Sequence, residues 1–323
     1  MKATRVPRSV SGGKNALDPN LLAAYRIAVR RYAHQPWVTG VGIGIRERRS
    51  RLVPTEGPVI AIHVRNKASS PARVARSRRI PKLIRGVPTD VIEADYQLAS
   101  GGGLAAAAAG GALCPGHSIA RADGTAATLG GVVLDAANVP FLLCAAHTLR
   151  EGNKGKKGDS IVHPGPLDAG GTAPAVVAAY QGVHFGMDAG LARLNAGVNA
   201  INTALVSGVA IGLPAVPALG DILEKSGRST GITQAVVQTI GTFLNIFPAV
   251  HLSPLSGDID ATPLSASGDS GALWYDAITG EGKALHSSGS GVAPAGHEFG
   301  VAAMLPFVLD ALKVRWAQGL VTG

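Results

Sequence analysis

Across its last two thirds the chain never lets an apolar run grow to helical length. TAATLGGVVLD, FLLCAAH, SIVHPG, AVVAAYQG, AGLARLN, ILEKSGRSTGI, AVVQTIGTFL, SGALWYD and KALHSSGSG are each closed off by glycine, proline, asparagine or aspartate. Short apolar runs bounded by turn formers are strands, because a helix needs a longer periodic stretch to bury one face. Glycine and proline, 43 and 20 of 323 residues, supply the turns and stay below the share of a low-complexity disordered chain. Only Leu305 to Trp316 breaks the pattern, with Leu305, Val308, Leu309, Leu312 and Trp316 on one helical face. Roughly 200 residues of strands and a final helix predict a mainly β domain of two small packed barrels over residues 114–323.

Upstream the pattern differs. Residues 19–34 place Leu21, Leu22, Tyr25, Ile27, Ala28 and Tyr32 near helical spacing behind a cap at Asp18 or Asn20. VTGVGIGIR and VIAIHVRNK then read as pairing strands, and VPTDVIEAD as a third, which makes residues 1–99 a small α+β unit. Gly40, Gly42 and Gly44 do not form a phosphate loop, since arginine-rich turn sequence follows instead of a helix N-terminus. SGGGLAAAAAGGAL places a flexible linker at residues 100–113.

Residues 1–100 hold 19 Lys and Arg against 6 Asp and Glu, and the remainder 11 against 15. Clustered cations attract nucleic acid or an acidic partner. No zinc-finger spacing or aromatic ladder accompanies them, however, and the runs at 46–51 and 73–79 read more economically as solvated loops. The opening MKATRVPRSVSGGKN has no apolar core behind it, and no apolar run reaches the ~18 residues of a membrane span. The expectation is a cytoplasmic chain without secretory signal or anchor. Cys114 and Cys144 are then reduced, buried thiols, with a disulfide left open. His163, His184, His251 and His297 lack metal-ligand spacing, and neither cysteine belongs to a Cys-x-x-Cys pair, so no metal or cofactor is expected.

Three local motifs carry chemistry. Ser270 lies in SGDSGAL, where flanking glycines let a tight turn expose the hydroxyl and aim the Gly268 and Ser270 amides at one point as an oxyanion hole. His147 ends the apolar run LLCAAHTL, and Asp188 opens DAGLARL. A serine hydroxyl needs a base to take its proton, and the base needs an anion to fix its tautomer. Singly these are also a turn, a structural histidine and a turn aspartate. Together they run His, Asp, Ser, whereas α/β-hydrolases run Ser, acid, His and subtilisins Asp, His, Ser.

In these motifs the chain resembles the trypsin/chymotrypsin superfamily of serine peptidases: CAAHTL matches its Ala-Ala-His motif, DAGLARL its Asp-x-Ala-Leu strand and SGDSGALW its nucleophile loop. The resemblance covers about residues 114 to 316 and implies a double β-barrel with His147, Asp188 and Ser270 as triad. It further implies that Leu285 to Ser290 is the strand that pairs with a peptide substrate, Ser287, Ser288 and Gly289 making the contacts. Leu264, six residues before Ser270, stands where trypsin-type pockets carry an aspartate, so a small or apolar side chain is the expected preference. No Ile-Val-Gly-Gly-like start precedes the barrels, which puts activation by a freed N-terminus pairing with Asp269 in doubt. VTGVGIG, IPKLIRGVPTDVIE, CPGHSIA, GTAATLGGVV and KSGRSTGIT resemble, more narrowly, bacterial relatives of the plant NARROW LEAF trypsin-like proteins. The expectation is a cofactor-free serine endopeptidase acting on protein or peptide, with a homo-oligomer left open. The alternative is a weak or latent protease-fold scaffold whose basic N-terminal domain binds a partner.

Overall fold

The computed structural model describes residues 18–48, 51–67, 79–98, 111–151, 154–255, 263–290 and 298–323. Residues 100–110 of the expected linker, most of the basic run 73–79 and His297 lie outside them.

The N-terminal helix, Pro19–Tyr32, starts where Asp18 accepts hydrogen bonds from the Asn20 and Leu21 amides. Leu21, Ala24, Tyr25, Ala28 and Tyr32 form its buried stripe. That stripe packs on a sheet in which Val38–Ile45 runs antiparallel to Pro58–Val64, itself parallel to Val87–Glu93. The free edge of Val38–Ile45 pairs with the far end of Gly231–Phe243, Gly40 opposite Phe243 and Gly44 opposite Thr239. The glycines of VTGVGIG permit this approach, since a Cβ on Gly40 would sit 2.1 Å from the Phe243 ring. Residues before 99 and the strands beyond residue 113 thus share one sheet, joined by main-chain hydrogen bonds.

Two barrels follow, as the resemblance implies. In the first, an open eight-stranded sheet runs from Arg315–Trp316 through Gly131–Leu134, Pro140–Ala145, Ala189–Leu194, Ala175–His184, Ser160–His163 and Ser118–Arg121 to Ala127–Thr128. In the second, six strands close on themselves: Ile222–Gly227, Leu273–Tyr275, Gly282–Gly289, Gly300–Met304, Ile246–Pro254 and Gly231–Phe243, the last returning to the first. The closing helix ends at Leu312, short of the expected Trp316. Lys313 takes a left-handed conformation (φ 59°), and Trp316 continues as a strand opposite Val133, its indole donating to the Ile211 carbonyl. The aromatic ring expected to extend the helical face instead closes the core between the barrels.

Candidate active site

Each barrel brings its own part of the site to the contact between them. Pro140–Ala145 is a buried strand whose end turns into a single helical turn, Ala146–Leu149, and this turn carries His147. The neighbouring strand begins just after Asp188, a residue held in a left-handed conformation (φ 43°). The Asp188 carbonyl accepts from the Ala146 amide, and its Oδ1 accepts from the His147 amide at 3.0 Å. His147 and Asp188 are therefore held together through main-chain groups as well as through their side chains.

His147 Nδ1 lies 2.7 Å from Asp188 Oδ2, and His147 Nε2 lies 2.9 Å from Ser270 Oγ. The imidazole thus bridges the two barrels, with the carboxylate on one nitrogen and the hydroxyl on the other. In this geometry Asp188 favours a proton on Nδ1 and leaves Nε2 free to accept from the serine. Asp188 is nearly enclosed, and the Ser287 hydroxyl donates to its Oδ2 at 2.5 Å. Ser270 itself is completely buried.

The loop before Ser270 turns through Gly268 (φ 100°), and Gly271 (φ 92°) follows. Both conformations favour glycine. Space does too: a Cβ on Gly268 would lie 2.1 Å from an Arg228 nitrogen, and one on Gly271 2.4 Å from the Thr128 carbonyl. The amides of Asp269, Gly271 and Ala272 donate to Ala266, His286 and Asp269 carbonyls. Among the described residues those of Gly268 and Ser270 have no such partner. Two free, neighbouring N–H groups beside a nucleophile are what an oxyanion needs.

The loop is held from beneath by Lys225, whose Nζ donates to Asp269 Oδ2 at 2.8 Å with both side chains fully buried. Asp269 also accepts from the Thr230 hydroxyl and from the Ser229, Thr230 and Ala266 amides. Burial pushes the Asp269 carboxyl up, but the Lys225 ammonium and these hydrogen bonds outweigh it and hold it below the usual range. Burial lowers Lys225, with Asp269 opposing. Where a freed N-terminus was doubtful as the partner of Asp269, an internal lysine takes that place. A lysine within the strand segment ILEKSG was the sequence signal for it. Arg228 pairs with Asp168 of the first barrel, and the Thr128 hydroxyl donates to the Gly268 carbonyl, so both barrels clamp the loop.

The remaining expected residues fall in two places. Ser287 and Ser288 are buried on Gly282–Gly289, and the Ser287 carbonyl lies 3.4 Å from Ser270 Oγ. Ser287 touches Asp188 through its side chain, a role the sequence reading had not given it. Gly289 is where a Cβ would meet Ser265 Oγ at 2.3 Å. Leu264 packs with Leu223, Trp274 and Met304 inside the second barrel. Cys114 and Cys144 are both buried free thiols, and burial pushes them up to about 11 and about 12. No group of three or more potential metal ligands occurs among the described residues. No helix among them is long and apolar enough to cross a membrane.

No protein-family model and no curated protein matches the chain. Solved structures of proteases are similar to it. Protease A of Thermobifida fusca shares 16% identity at a TM-score of 0.47, covering 66% of this chain and 100% of its own. A glutamic acid-specific serine protease that uses a histidine triad in substrate binding shares 19% at 0.49, covering 64% and 100%. Nocardiopsis protease shares 15% at 0.46, covering 64% and 98%.

Proposed function

We propose that this chain is a serine endopeptidase, a relative of the NARROW LEAF trypsin-like group, that cleaves peptide bonds through an acyl-enzyme. The observation that carries the reading is the continuous chain Asp188 Oδ2, His147 Nδ1, His147 Nε2, Ser270 Oγ, with links of 2.7 and 2.9 Å. In it, His147 takes the Ser270 proton as Oγ attacks the carbonyl carbon, and Asp188 stabilises the imidazolium that forms. The Gly268 and Ser270 amides receive the developing oxyanion. His147 then returns the proton to the leaving amine, and water repeats the sequence on the ester.

Internal pairing of Asp269 with Lys225 favours a loop that is set without cleavage of a zymogen. The residues at the site supply every proton transfer, so the reaction needs no cofactor. Protein or peptide is the proposed substrate. The domain division at 100–113 and a cytoplasmic setting belong to the same reading.

Prolonged incubation with a fluorophosphonate, followed by mass spectrometry, tests it. The expected result is one adduct on Ser270, absent from Ser270→Ala and from His147→Ala. An unlabelled wild-type chain would favour the scaffold alternative.

A further inference from the structure

The strand Gly282–Gly289 is flanked along one side by Gly300–Met304. On its other side Leu273–Tyr275 covers residues Gly282 to Leu285, and the nucleophile loop continues that edge, the Gly271 amide donating to the His286 carbonyl. Beyond the nucleophile the edge passes to Ser287, Ser288 and Gly289. A peptide that presents its carbonyl to Ser270 must lie along this stretch, because an exposed strand edge binds extended chains by main-chain hydrogen bonds.

That stretch already has an occupant. Gln97–Leu98, the end of the N-terminal unit, forms a two-residue strand antiparallel to it, Leu98 opposite Ser288 and Gln97 opposite Gly289. Two residues of pairing are weak alone, but the residues before them are fastened. The Ala94 amide donates to the Val64 carbonyl, and the buried Thr39 hydroxyl donates to the Ala94 carbonyl at 2.7 Å. Asp95 pairs with Arg65 at 2.6 Å. Tyr96 is buried, its hydroxyl 2.8 Å from His63 Nδ1, and its ring meets Phe299 and Phe243 edge-on at 5.0 and 5.9 Å. Phe299 immediately precedes the strand that pairs with Gly289 from the opposite side. The anchor is thus built partly on the barrel it blocks.

We infer that residues 94–98 are a built-in occupant of the substrate edge, a strand tethered at Tyr96 that keeps Ser288 and Gly289 from pairing with a peptide until it is displaced. This rests on the peptidase reading for its regulatory meaning, though the competition itself does not depend on catalysis. A tethered strand acts at an effective concentration in the millimolar range. A free peptide at micromolar concentration therefore binds only to the fraction of molecules in which the strand has left, and its apparent affinity falls by that fraction. The complete burial of Ser270 accords with a closed edge.

The test uses the full chain with Ser270→Ala and a fluorescein-labelled octapeptide of sequence VIEADYQL, the chain's own residues 91–98. Gln97→Pro with Leu98→Pro removes both amides of the occupant. Anisotropy titration should show the peptide binding the Pro-Pro chain at least about tenfold more tightly than the parent. Equal binding to both, or binding to neither, overturns the proposal. A second measurement needs no change at residues 97 and 98. Hydrogen exchange should show slowed exchange in the segment spanning Tyr96 to Leu98, and free-chain exchange there overturns the proposal even if the Pro-Pro chain fails to fold. Fluorophosphonate labelling of the Pro-Pro chain with Ser270 intact separates the two readings. An adduct without a peptide effect leaves the peptidase and removes the occupant, and a peptide effect without an adduct does the reverse.

Discussion

The first barrel keeps an apolar interior of Leu129, Val132, Leu142, Cys144 and Ala192, and delivers its functional side chains from strand ends. The second buries Lys225, Asp269, Ser270, His286, Ser287 and Ser288 within or against its wall. It is also the barrel whose six strands close. In a closed ring a buried polar cluster can be held in one geometry by partners on several strands. As the proposed base, His147 needs a fixed direction, which a single turn after a buried strand provides. The turn that carries Ser270 is held by a buried ion pair and by contacts from both barrels.

The largest expected effect asks whether the barrels act as one device. Ser270→Ala and His147→Ala should each lower peptide turnover by about 10⁴ to 10⁶-fold, and the double variant should fall no further, because the triad acts as a unit. Turnover kinetics of the three chains on a fluorogenic peptide decide it, and additive losses would mean that the barrels contribute separately.

Next in size is the ion pair that distinguishes the second barrel. Lys225→Met leaves the Asp269 carboxylate buried without its cation and should cost about 3 to 5 kcal/mol. Urea unfolding measures the loss, and labelling of Ser270 should fall with it. A chain that keeps its stability would show that the hydrogen bonds to Asp269 suffice to hold the loop.

Ser287→Ala probes a side chain that the second barrel lends to Asp188 of the first. Removing a hydrogen bond to a charged group costs about 1.5 to 3 kcal/mol. With His147 still bonded to Asp188, kcat should drop roughly ten- to hundredfold while KM stays near its starting value.

Acid sensitivity separates the barrels most gently. Burial lowers His251 and His286 to about 3, with the Lys225 ammonium adding to the effect on His286. In the first barrel burial and His163 lower His117 to about 4. A histidine lowered on folding binds its proton first in the unfolded chain. Its contribution is therefore present above an unfolded value of about 6.5 and is lost as pH falls from there towards the folded value. Stability should decline below that point by on the order of 1 kcal/mol per pH unit for each such histidine. His251→Phe, placed in the aromatic cluster where neither ring nitrogen has a partner among the described residues, should flatten the decline measured by thermal unfolding between about pH 6.5 and 4.

Much of the fold was legible because period and punctuation are local. LLCAAH had to be a buried strand that ends at a histidine, and SGDSGAL a tight turn between glycines. Of the helical residues read from spacing, Leu21, Tyr25, Ala28 and Tyr32 are buried, whereas Leu22 and Ile27 are only partly so and Ala24 joins the stripe. Trp316 misled for the same reason: its spacing fits a helical face, but a left-handed Lys313 and a strand partner at Val133 redirect it.

By itself, then, the sequence determined which segments are strands, which residues face inward and the order in which histidine, aspartate and serine arrive. Tertiary structure alone decided that Lys225 would meet Asp269 across 44 residues, that Ser287 would reach Asp188 across 99, and that Gln97–Leu98 would lie on the edge beside the nucleophile. Periodicity records the face a side chain presents, whereas the partner it finds there depends on the register of strands far apart in the chain, and that register is fixed only when the barrels close and the cores fill.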